Sequence, residues 1–164
     1  MITTRITAGA FLICGDKVLL MKRGLHKEIG AGMWAGVGGH LDMSDITNPR
    51  AIDTLETCYR EVHEETGILR TDIHDLKLRY IAVRKVDGEV HLVYHYFGRL
   101  EQEILPPECS EGEFFWIDKI DLTNLPMSRL VGEAVHHWVR NPDCDKINLI
   151  VVDNTGTSAV ISGI

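Results

Sequence analysis

Three glutamates, Glu61, Glu64 and Glu65, stand within the segment YREVHEETGI, with Arg60 just before them and Gly67 just after. In a helix, residues three and four apart are surface neighbours, so these carboxylates fall on one face. Like charges at that spacing cost a helix about 0.2–0.5 kcal/mol per pair, and acids near a helix C-terminus oppose its dipole. Those penalties are small, and a solvated acidic face of no chemical use is the plain alternative. A hard divalent cation reverses the balance, because it takes oxygen ligands and draws carboxylates together. The chemistry open to such a cluster is metal-assisted attack of water on a polyanion.

The cluster needs a helix to carry it and a sheet to carry the helix. Asn48-Pro49 reads as a helix start, with Asn accepting from free N–H groups and Pro losing no useful donor. Gly67 reads as the stop, suited to a left-handed cap. Between them Ala51, Ile52, Leu55, Cys58, Tyr59 and Val62 recur at spacings of three and four, which predicts one apolar stripe. Residues 6–14 and 17–22 are β-rich runs joined at Gly15-Asp16, and LRYIAVRKVDGEVHLVYHYFGRL predicts a second hairpin turning at Asp87-Gly88. AGMWAGVGGHL is glycine-rich, with a short strand around Trp34 to Val37; EFFWI is a further strand; SRLVGEAVHHWVRN is an amphipathic helix. INLIVVD and SAVI, separated by Asn154-Thr155-Gly156, form a last strand pair. This order predicts an α/β (α+β) fold, a mixed β-sheet between helices that cover its faces. One domain over residues 1–164 is expected at this length.

The residues GGHLD … YREVHEETGI closely resemble the Nudix box, the signature of hydrolases acting on nucleoside diphosphates linked to another group. The second half of that pattern is complete: Arg60, Glu61, Val62, Glu64, Glu65, Gly67 and Ile68. GAGMWAGVGGHLD resembles the strand and loop that enter the box, and EGEFFWIDKIDLTNLP the later strand and turn, so the likeness spans residues 5 to 153. The first half departs from the pattern. Gly39 precedes Arg60 by 21 positions, seven more than the family spacing, and Ile52 stands where a Glu is expected. The surplus falls in MSDITNPRAIDTL and is read as lengthening the helix at its start and enlarging the loop before it. Glu56, Asp45 and Asp53 are all candidates to replace the missing acid.

The resemblance implies an α/β/α sandwich and a divalent cation, Mg²⁺ with Mn²⁺ as the alternative. It implies Glu61 and Glu65 as the best metal ligands, with Glu64 a further one and the carbonyl of Gly39 on the same ion, and Arg60 as the group that orients the glutamates by forked hydrogen bonds. Water activation would fall to Glu61 or to an acid of another loop, Glu111 or Glu113 in SEGEFF. Lys22 and Arg23 could meet phosphates, and Trp34 and Trp116 could stack on a base, although a solvated strand end and ordinary core packing are the competing readings. AGMWAGVGG is similar to the MutT-like branch, which removes oxidised purine nucleoside triphosphates. The expected activity is pyrophosphohydrolysis of a nucleoside triphosphate, oxidised or not, to a monophosphate and pyrophosphate. A Nudix-fold module that senses a nucleotide without cleaving it is the alternative. An isoprenoid diphosphate isomerase ranks below both, because its additional catalytic cysteine and metal histidines have no counterpart that can be placed here.

The rest of the composition bounds these readings. A net charge of −7 disfavours a nucleic-acid polymer as partner but not a small phosphorylated ligand bridged by a cation. Apolar residues make up 45% of the chain, yet no run approaches a membrane span, and no signal peptide is expected at the N-terminus. Four scattered cysteines suggest reduced thiols and a cytoplasmic location. No His-x-x-x-His helical pair and no phosphate loop ending in Lys-Ser/Thr is present. His91 and His95 share a strand face and are read as ordinary surface or packed histidines. A small-molecule nucleotide is the expected partner, and monomer or homodimer are both open.

Overall fold

A computed structural model describes residues 3–27, 30–46, 52–153 and 155–163. Among the described residues nine strands join in one mixed sheet: β1 (Thr3–Cys14), β2 (Lys17–Arg23), β3 (Trp34–Ala35), β4 (Val37–His40), β5 (His74–Val86), β6 (Glu89–Arg99), β7 (Gly112–Asp118), β8 (Asn148–Val152) and β9 (Ser158–Ser162). Helix α1 (Thr54–Thr66) lies between β4 and β5, and α2 (Arg129–Arg140) between β7 and β8. The sheet runs β3-β2-β1-β6-β5-β8-β9, with β4 also on β1 and β7 also on β2. The pairs β1–β6 and β5–β8 are parallel, the others antiparallel.

Period-2 alternation splits the core into two layers. On β1, Ala8, Ala10 and Leu12 join Leu19, Met21, Cys58 and Val62 in the layer beneath α1. Phe11 points the other way, with Val18, Leu20, Tyr80, Phe97, Val135 and Trp138 beneath α2. The predicted α/β/α arrangement is therefore the one observed. The hairpin turn falls where expected, with Asp87 and Gly88 at φ 48° and 87°, the left-handed geometry that an Asp-Gly turn supplies.

One feature of the sheet positions the site. The edge of β1 opposite β6 pairs with β2 at residues 12–14 but with β4 at residues 7–10. Strand β2 in turn pairs with β1 at residues 17–19 and with β3 at residues 21–22. Past their turn the two strands diverge, and the glycine-rich segment fills the fork. A Cβ on Gly36 would meet the carbonyl oxygen of Ala10 at 2.6 Å, and one on Gly38 would overlap Ala8 and Gly9, so backbone packs on backbone here.

Helix α1 differs from the expectation at its start. Asn48-Pro49 and Ala51 lie outside the described residues, and the helix begins at Thr54 behind Asp53. The Asp53 carboxylate accepts from the N–H groups of Leu55 and Glu56, both at 3.1 Å, which makes it the N-cap. Ile52 is 50% exposed and precedes the helix, so it is no part of the buried stripe. Of the segment that holds the surplus, the described residues Met43–Asp45 form a short 3-10 turn and Ile52-Asp53 precede the helix, which is not lengthened at its start as expected. Gly67 closes the helix at φ 72°, as expected.

Candidate active site

The site begins with Arg60, halfway along α1. Its Nε–H and Nη2–H donate to the two carboxylate oxygens of Asp45, at 3.0 and 2.8 Å. Nη2–H also donates to the carbonyl of His40 at 3.0 Å, and Nη1–H to Glu61 and Glu64 at 2.9 and 3.0 Å. One guanidinium thus ties the 3-10 turn, the end of β4 and two box glutamates together, the forked geometry that arginine provides and lysine does not.

Of the three acids left open by the sequence, Asp45 is the one that meets Arg60. It is buried and also accepts from the Thr57 hydroxyl at 3.0 Å and the Asp42 N–H at 2.9 Å. Glu56 pairs with Arg70 instead, and Asp53 is spent on the helix cap. The hydrogen bonds from Arg60, ahead of those from Asp42 and Thr57, hold the Asp45 carboxyl down at about 2. Its folded pKa lies below the ordinary 3.8, so the associated stability is complete above that pH and disappears as pH falls towards 2. Asp45→Asn should therefore cost about 2–3 kcal/mol near neutral pH, since it breaks a buried pair and strands part of Arg60. In melting curves taken down a pH series, variant and parent should converge in the acid range; a constant gap would contradict this assignment.

The three glutamates are not equivalent. Glu64 is 57% exposed and reaches the others only through Arg60. Glu61 lies against Gly39, where any Cβ would overlap its carboxylate. Glu65 accepts from the Gly38 N–H at 3.2 Å. Burial, and then the charge of Glu61, push the Glu65 carboxyl up to about 7 despite that hydrogen bond. Burial also raises Glu61, with Arg60 opposing. Two half-buried carboxylates, Glu61 on Arg60 and Glu65 on the Gly38 N–H, thus face the backbone of Gly38 and Gly39.

Among the described residues no three His, Cys, Asp or Glu side chains converge into a closed metal cage. Mg²⁺ does not require one, because it keeps several waters and takes one or two carboxylates. The raised Glu65 carboxyl and the Cβ-free approach of Glu61 to Gly39 fit a hard divalent ion. Glu61 and Glu65 would hold it with the Gly39 carbonyl, and Glu64 would stand at the edge. Such an ion neutralises phosphate charge and acidifies bound water.

Gly38 and Gly39 also line a cleft of about 250 Å³ on the α2 side of the sheet, together with Arg5, Phe11, Arg23, Trp34, His40, His95 and Leu130. No Asp or Glu lines it among the described residues, in a chain of net charge −7. The candidates Arg23 and Trp34 are therefore at the cleft, and Lys22 and Trp116 are not. Lys22 is exposed, with Nζ 5.9 Å from the Trp34 ring centroid. Trp116 points to the opposite layer, where its indole N–H donates to the Ile104 carbonyl at 3.0 Å and its ring packs under α1. Strand alternation put it there: its neighbour Phe115, not Trp116, shares a face with Trp34.

Glu111 is held by Lys27 at 2.6 Å, which lowers its carboxyl below the usual range. Glu113 is exposed on β7 opposite Lys22. Neither lines the cleft. Arg5, Phe11 and His40 are not singled out by the sequence, and His95, read there as an ordinary surface or packed histidine, lines the cleft. The alternation of Arg5, Thr7, Gly9 and Phe11 on β1 and of His91, Val93 and His95 on β6 was the signal available for most of them.

The profile of the NUDIX domain matches residues 3–139. The chain belongs to this family, whose members are hydrolases acting on phosphoanhydride bonds and generally use divalent metal ions. Solved structures agree at the level of the fold. A MutT protein from Bacillus halodurans is 20% identical with a TM-score of 0.64, the match covering 95% of this chain and 97% of that one. A NUDIX hydrolase from Alicyclobacillus acidocaldarius is 17% identical with a TM-score of 0.71, over 87% and 94% of the two chains. An Ap4A hydrolase from C. elegans is 16% identical with a TM-score of 0.63, over 83% and 96%. No curated protein matches the chain significantly.

Proposed function

We propose that the protein is a Mg²⁺-dependent pyrophosphohydrolase of nucleoside triphosphates, oxidised purine nucleotides among them, releasing a monophosphate and pyrophosphate. The observation that carries this reading is the meeting of two elements at Gly38-Gly39. The paired carboxylates of Glu61 and Glu65 abut this backbone, and a carboxylate-free cleft with Arg5, Arg23 and Trp34 opens from it. A phosphate chain at the glycines would leave the organic group to the apolar part of the cleft, beside Phe11 and Leu130.

In this scheme water oxygen attacks phosphorus, the bridging P–O bond breaks, and the proton of the water passes to a carboxylate. Arg60 fixes Glu61 and Glu64 while Asp45 fixes Arg60. Arg5 and Arg23 offset phosphate charge at the cleft mouth. The Lys27 pairing makes Glu111 a weak proton acceptor, which favours the helix carboxylates for that role. An essential general base contributes about 10²–10⁴-fold. Glu111→Gln should instead keep kcat within about tenfold of the parent, and a loss in the full range would return the role to Glu111.

The substrate is tested with a panel of nucleoside triphosphates, oxidised nucleotides, dinucleoside polyphosphates and nucleotide sugars, each assayed with Mg²⁺ and with Mn²⁺. The proposal expects metal-dependent release of pyrophosphate from a triphosphate. Faster turnover of a dinucleoside polyphosphate or a nucleotide sugar would move the assignment to that class. Nucleotide binding without products from any member would favour the sensing module.

A further inference from the structure

Among the polar side chains that line the cleft, His95 is the one that is buried, and its hydrogen-bonding sense is fixed. It is 3% exposed, sits on β6, and lies 5.8 Å from Phe11 between ring centroids. Its Nε2 is 3.0 Å from the carbonyl oxygen of Leu130. A carbonyl only accepts, so Nε2 carries the proton. Burial keeps the ring neutral, holding it down at about 4. Nδ1 is therefore a lone-pair acceptor.

Among the described residues Nδ1 has no hydrogen-bond partner. The sealed polar atoms without one are Arg79 Nε, Arg84 Nε and Asn148 Oδ1, and His95 Nδ1 is not among them. The ring lines the cleft and Nδ1 is not sealed, which makes it the ring nitrogen left for a ligand. The other polar groups there have a different character. Arg5 and Arg23 only donate, the hydroxyls of Thr7 and Ser128 act either way, and His40, exposed, and His91, half-buried, are engaged through Nε2 by Arg5 and Glu89. With no carboxylate in the lining among the described residues, a ligand's acceptors find many partners, whereas the buried side-chain acceptor open to a ligand's N–H is that of His95, in an apolar wall. A buried acceptor left unpaired is what makes a site reject the analogue that lacks the donor.

We infer that His95 is a specificity-determining residue, which reads an N–H of the substrate's base through Nδ1 and discriminates against bases that present no donor. This rests on the proposed nucleotide substrate, so the test measures binding as well as turnover. Adenosine and guanosine nucleotides are compared with donor-free counterparts, purine riboside nucleotide and N1,N2,N2-trimethylguanosine nucleotide. Monophosphates are titrated by calorimetry and triphosphates are assayed with Mg²⁺, for the parent, His95→Phe and His95→Gln. Melting curves establish that each variant is folded.

In the parent, the donor-free member of the better-bound pair should be weaker by about tenfold, one hydrogen bond left unmade, and the difference should lie in Kd and KM rather than kcat. His95→Phe should bring the pair within about threefold of each other, and His95→Gln, which keeps an acceptor, should restore part of the difference. Equal binding of both members by the parent, or a difference that survives in a folded His95→Phe, would overturn the inference. Should His95→Phe fail to fold, His95→Gln and the parent pair decide it. Discrimination in binding without hydrolysis would uphold the role of His95 while refuting pyrophosphohydrolysis, so the two failures are separable.

Discussion

Glu65→Gln should lower kcat by about 10³-fold or more while the melting temperature holds or rises. The magnitude follows from the several kcal/mol that a bound divalent ion contributes to stabilising phosphoryl charge. Glutamine keeps the shape and can still accept from the Gly38 N–H, but it brings no charge to a cation. The stability half follows from linkage. The folded pKa of Glu65 is about 7, raised above its ordinary 4.5, so the native state holds this proton more tightly than the unfolded chain. In the absence of metal, stability should therefore fall as pH rises between those values, and the uncharged variant should escape that loss. Added Mg²⁺ should raise the parent's melting temperature more at pH 8 than at pH 6, because protons compete for the ligand. Steady-state kinetics with calorimetric melting at both pH values checks all three statements. Retention of full turnover by Glu65→Gln would remove the metal site from α1.

Gly39→Ala should be the more selective lesion. A methyl group there overlaps the Glu61 carboxylate, the end of a side chain that Arg60 also holds. The helix backbone is not in the way, so the chain should fold, with a stability cost of about 1–3 kcal/mol for the overpacking. Displacing a catalytic carboxylate by about 1 Å costs about 10²-fold in rate. The expected result is a folded protein whose kcat/KM is lower by about that factor and whose metal requirement is shifted to higher concentration. Gly38→Ala offers the contrast. Its methyl group would meet the backbone of Ala8 and Gly9, so it should damage the sheet itself. Metal titrations of activity, beside melting curves for both variants, separate the two outcomes; an equally active Gly39→Ala would show that Glu61 does not need its present position.

Much of this was written in local patterns. The hairpins, the two helices, the Gly67 stop and the box carboxylates all follow from spacing and turn chemistry. What was illegible depended on contacts between distant residues. Asp45 could not be told from Glu56 or Asp53, because only the folded 3-10 turn brings it to Arg60. The helix start was misplaced since Asn48-Pro49 is a stronger isolated signal than Asp53, whereas the buried stripe begins beyond Ile52. Trp116 and Trp34 carry the same chemistry in sequence, and the registers of β7 with β2 and of β2 with β3 send them to opposite layers. The rank of Glu61 and Glu65 above Glu64 came from the resemblance alone: helical spacing puts the three on one face but cannot say which of them the sheet covers.

Strand β1 is bonded on both edges over residues 7–10, to the glycine segment on one side and to the strand bearing His95 on the other. The two halves of the cleft therefore share a single ruler. A slip of β1 by one residue would misplace the phosphate end and the base end together, so neither can drift while the other stays in place. Amides in this stretch should exchange with solvent only through global opening, which makes ligand recognition and catalytic competence vanish in one step on heating.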